Sequence, residues 1–75
     1  MSGRVVLRVG PDDVGSRVVL RRVAPGGRYV DLLGELVRWD ADAVEVRDRH
    51  GVKHRVAPAD VVAGKRVPPA PARRA

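Results

Sequence analysis

The chain has 75 residues, 44% hydrophobic and 32% charged, with a net charge of +6 and no cysteine. That length supports one domain, which at about this size buries roughly 60% of the surface its unfolded chain exposes and has no room for an enclosed cavity of enzyme size. The lack of cysteine excludes a disulfide framework and a cysteine zinc site, so stability has to come from packed valine and leucine.

Apolar residues recur mainly at a spacing of two and valine is the commonest type, so the sequence predicts five or six short strands. The first covers residues 3–9, alternating through Val5, Leu7 and Val9 before it breaks at Gly10 and Pro11. The second covers 16–23, with Val19, Arg21 and Val23 on one face and Val18, Leu20 and Arg22 on the other. A flexible turn, APGGR, leads into a long segment at 29–39, in which Gly34 predicts a bulge or a sharp bend. DAD at 40–42 turns the chain into AVEVRDR, with Val44 and Val46 facing one way and Glu45 and Arg47 the other. His50 and Gly51 make a tight hairpin into VKHRV, Pro58 opens a single helical turn (PADVV), and AGKRV returns as the closing strand. This is the layout of an all-β, SH3-like barrel with one short 3-10 turn before the last strand. The expected boundaries are an N-terminal extra strand and turn at 1–11, the barrel at 12–67, and a Pro/Arg-rich linker or tail at 68–75.

The positive charge divides evenly between body and tail. Residues 1–56 carry eleven Arg and Lys against eight Asp and Glu, whereas residues 57–75 carry Lys65, Arg66, Arg73 and Arg74 against Asp60 alone. The body therefore has the mixed signs of a solvated surface. The excess of Arg over Lys fits GC-rich coding, which spreads guanidinium groups over ordinary surfaces and makes their number poor evidence by itself. A basic barrel can still bind nucleic acid, and the residues available to phosphates are Arg17, Arg21, Arg22, Arg47, Arg49, Lys53 and Arg55.

Few residues suggest chemistry. His50 and His54 lie near Asp48 but on a turn and a strand, with no spacing that gathers three metal ligands. GPDDVGSR at 10–17 lacks the lysine of a phosphate loop and places Asp12 and Asp13 where an anion would sit. Ser2 and Ser16 are the only serines, and neither occupies a nucleophile elbow. The expectation is a chain with no catalytic residue, no cofactor and no metal of its own. Trp39 and Tyr29 are the only aromatics: Trp39 suits the core or its rim, and both, with Arg28, are candidates for partner contact. PPAPAR in the tail reads as a proline-rich spacer.

Three stretches in order carry a family resemblance: Asp13-Val14-Gly15 before a valine strand, Asp31-Leu32-Leu33-Gly34-Glu35-Leu36 followed by Trp39, and Asp60-Val61-Val62-Ala63 leading to Lys65 and Val67-Pro68-Pro69. Over residues 12–71 the chain resembles the SH3-like N-terminal domain of bacterial GNAT-type (histone acetyltransferase-like) N-acetyltransferases. The resemblance implies a non-catalytic module that docks the acetyltransferase catalytic domain or a protein substrate, with a proline stretch leading toward that domain. It also implies that acetyl-CoA binds elsewhere. In such enzymes a loop of Arg or Gln, two residues, Gly, one residue and Gly or Ala holds the pyrophosphate at a helix N-terminus, and no Arg here is followed by Gly at the third position. The expected partners are thus proteins or a second copy of the chain, with nucleic acid as the rival. No apolar run approaches the roughly 20 residues of a membrane span, and residues 1–11 are too short and charged for a secretory signal, so a cytoplasmic location is expected.

Overall fold

The computed structural model describes residues 9–68. The strand expected at 3–9 lies outside them except for Val9, which is not in a strand and is buried in the core. The first element among the described residues is a 3-10 turn, Pro11–Asp13, where the sequence predicts only a break at Gly10 and Pro11. Proline presets the first turn position, and the Asp13 carboxylate accepts the Gly10 N–H at 2.9 Å. Gly15, with φ of 98°, then redirects the chain, so that its N–H donates to the Leu36 carbonyl at 2.8 Å while Leu36 N–H donates to the Ser16 carbonyl at 2.9 Å.

Five antiparallel strands follow: β1 (Arg17–Val23), β2 (Tyr29–Trp39), β3 (Val44–Arg47), β4 (Lys53–Val56) and β5 (Val61–Arg66). Their order in the sheet is β4-β3-β2-β1-β5, as expected of a small SH3-like barrel. Among the described residues β4 and β5 are its edges, joined by a second 3-10 turn, Pro58–Asp60. That turn is three residues long rather than five, because Val61 and Val62 already belong to the last strand.

The alternation read from the sequence sets the inner face. Val18 and Leu20 of β1, Leu36 of β2, and Val44 and Val46 of β3 are fully buried, and Val9 joins them in one cluster against which Leu32, Trp39 and Val61 pack. Burying each Val or Leu contributes about 1.5–3 kcal/mol. Among the described residues no charged or polar residue is buried, so the interior is filled by aliphatic side chains.

β2 is the hinge of the architecture. Its first half pairs with β1 from Val23↔Tyr29 to Arg17↔Glu35, and its second half pairs with β3 from Glu35↔Arg47 to Trp39↔Val44. The expected irregularity in β2 lies between Leu36 and Arg38 rather than at Gly34, and a second falls where Arg21 and Arg22 meet β5. Gly34 has another role: a Cβ built on it would lie 2.1 Å from the Arg47 carbonyl oxygen. Only a residue without a side chain lets β2 pass that close to β3.

Candidate functional site

The change of partner along β2 gathers charge at one place. Glu35 lies between Arg17 on one neighbouring strand and Arg47 on the other, and Arg47 pairs in turn with Lys53. All four side chains take the parity opposite to the core residues, so they form a row across the outside of the barrel. Glu35 bonds to Arg47 at 3.4 Å, with both side chains about half exposed. Among the described residues Arg17 has no carboxylate partner.

Two chain segments flank this row and turn it into a groove. On one side is the β3–β4 turn, carrying Arg49 and His50. On the other is the end of β5, where Arg66, Val67 and Pro68 follow one another and Val67 N–H donates to the Arg17 carbonyl at 2.9 Å. The groove is open to solvent, encloses about 1150 Å³ and has Leu33, 48% exposed, on its wall. This concave surface lies on the outside of the barrel, where the expectation about an enclosed cavity does not apply.

Asp48 shapes the turn side. Its carboxylate accepts the backbone N–H groups of His50 at 2.8 Å and Val52 at 3.0 Å, and a ring nitrogen of His54 lies 2.8 Å from it. These donors favour the charged carboxylate, His54 most strongly, and hold its pKa down to about 2. Because the folded pKa lies below the ordinary 3.8, the stability gained is present above that value and is lost as pH falls through it toward about 2. Asp48→Asn is therefore expected to melt below the wild-type protein at neutral pH, with the gap closing under acid. A gap that stays constant between neutral pH and the acid limit would show that charge is not what Asp48 contributes.

The other expected contact residues lie elsewhere. Tyr29 is 64% exposed at the start of β2, with the Arg21 guanidinium 6.0 Å from its ring centroid. Arg21 is held there by Asp31 at 2.9 Å, an ion pair that lowers the pKa of Asp31. Arg28 is exposed in the β1–β2 turn beside Tyr29. Trp39 lies at the far end of β2, half-buried against the core, so Trp39 and Tyr29 do not share a surface.

The arginines do not form one stripe either. Arg17, Arg47 and Arg49 line the groove and Lys53 extends their row, whereas Arg21 sits with Tyr29 and Arg55 lies opposite Glu45 on β4. Arg22 takes the inward parity, and its Nε is buried with no hydrogen-bond partner among the described residues. Sequence reasoning missed Arg66, Leu33, His50, Val67 and Pro68 as groove residues, because nothing local shows that the β3–β4 turn and the end of β5 flank the same point of β2. The described residues hold no group of three or more His, Cys, Asp or Glu placed to share a metal ion, and no helix long and apolar enough to cross a membrane.

A family model described as "Rv0428c N-terminal Sm-like domain" matches residues 12–65. No curated protein and no solved structure matches the chain.

Proposed function

We propose, from the premise that this chain belongs to the Rv0428c N-terminal Sm-like domain family, that it is a non-catalytic docking module which works with a GNAT-type N-acetyltransferase. The observation that carries the reading is the division between inside and outside. The interior is closed by aliphatic packing, while the exterior offers a concave charged groove and, among the described residues, two edge strands, the features by which small β domains hold other proteins. The family description, which places its namesake domain at an N-terminus, supports a module that precedes another unit. The GNAT assignment comes from the ordered stretches ending in Val67-Pro68-Pro69. On this reading the partner's catalytic domain supplies the acetyl-CoA site, and the barrel holds that domain or its protein substrate.

The test is calorimetric titration of the chain with the catalytic domain of an acetyltransferase that carries this type of barrel, alongside acetyl-CoA alone. Saturable binding to the catalytic domain and none to acetyl-CoA is the expected result. Binding of acetyl-CoA by this chain unaided, or no binding to the catalytic domain, would sink it.

A further inference from the structure

We infer that the groove recognises an acidic peptide segment carrying an aliphatic side chain, an inference that rests on the docking reading and names what is docked. Charge complementarity is the first argument. Arg17, Arg47, Arg49 and Arg66 all face the groove. Asp48 also lines it, but its oxygens are engaged by His54 and by the amides of its own turn. Asp13 bonds to the Gly10 N–H and reaches Arg66 at 3.4 Å, and that arginine side chain remains 66% exposed. Of the two described carboxylates that line the groove, Glu35 is the one set between two arginines, and its contact with Arg47 is long. A long, exposed pair of this kind is worth little and yields readily to a better-placed carboxylate.

The second argument is what lies between the cations. Leu33 is exposed on the outer face beside Val19 of β1, and Val67 and Pro68 form the opposite wall. An apolar strip bordered by guanidinium groups suits a chain that alternates carboxylates with an aliphatic residue. Among its described lining residues the groove has one stacking ring, the imidazole of His50, since Tyr29 and Trp39 sit at the two ends of β2. Single-stranded nucleic acid is usually held by several rings that stack successive bases along a cationic groove, and one imidazole beside an aliphatic wall suits a peptide better than RNA or DNA.

The experiment uses fluorescence polarisation at low salt with the whole chain and four labelled probes: a peptide alternating glutamate and leucine, an all-glutamate peptide, a lysine and leucine peptide, and a single-stranded oligonucleotide of matched charge. The glutamate and leucine peptide is expected to bind tightest. Arg17→Glu and Arg49→Glu should each weaken it about tenfold, as removal and reversal of one groove charge does at a partly desolvated contact. Leu33→Ala should weaken it without affecting the all-glutamate probe. Arg55→Glu, outside the groove, should leave affinity unchanged, and circular dichroism melting identifies any variant that fails to fold. Equal or tighter binding of the oligonucleotide, or binding indifferent to Arg17 and Arg49, overturns the inference. The calorimetric titration with the catalytic domain is repeated with Arg17→Glu. Unchanged affinity there defeats the groove assignment while leaving docking intact, whereas no binding by the wild-type chain defeats docking itself.

Discussion

Replacing Gly34 by alanine is expected to lower the melting temperature by roughly 15 °C, or to leave no folded protein, because the added methyl meets backbone rather than a side chain that can turn away. The Arg47 carbonyl oxygen would stand 2.1 Å from the new Cβ and its carbon 2.8 Å away. Relief requires β3 to move off β2, and that would break the Glu35↔Arg47 and Leu36↔Val46 pairs just past the contact. A cost of about 3 kcal/mol is the scale of such overpacking. Gly10→Ala is the control: no atom of the described residues lies within 4 Å of its Cβ, and its φ of −153° suits any residue. Thermal unfolding followed by circular dichroism compares the two, and a Gly34→Ala protein that melts with the wild type would show that β2 and β3 do not pass as closely as described. The groove is expected to go with the fold, since Arg17, Glu35 and Arg47 are aligned by this same crossing.

Leu20→Ala is expected to cost about 2–5 kcal/mol, the range for emptying a leucine site in a packed core. Leu20 is fully buried, and it pairs with Leu32 on one side and Gly64 on the other. Gly64 has no side chain to move into the space, and Leu32 is held by its own strand. A domain of this size has a total stability of only about 4–11 kcal/mol, so the variant should be partly unfolded at body temperature and show an early urea midpoint. Leu33→Ala, one residue from Leu32 but on the outer face, is expected to change stability by about 0.5 kcal/mol or less. Equal losses from the two substitutions would mean that the inner and outer faces of β1 and β2 have been misassigned.

These two substitutions also mark where sequence reading succeeds. The period of two is a local property, since successive side chains on an extended backbone point to opposite faces. It therefore put Val18 and Leu20 on the face opposite Arg21, and Val44 and Val46 opposite Glu45 and Arg47, without knowledge of the partner strands, whereas which face of β1 is buried was decided by the packed sheet. Turns were legible for the same reason: Gly26, Gly27 and Gly51 adopt positive φ where the sequence signals a reversal, and Pro58 starts a 3-10 turn. Gly34 was recognised as special, but its purpose depends on which backbone lies beneath it, and that is a question of register.

The all-β class, the strand sequence and the aliphatic interior were determined by residue order alone, because alternation, turn chemistry and the lack of cysteine act over a few neighbouring residues. The groove was decided only by tertiary structure. Its parts come from the start of β1, the middle of β2, the β3–β4 turn and the end of β5, and they meet because β2 exchanges one neighbour for another at Glu35. Pairing across such distances in the chain is set by the closure of the whole sheet around one core, so no short stretch of sequence carries it.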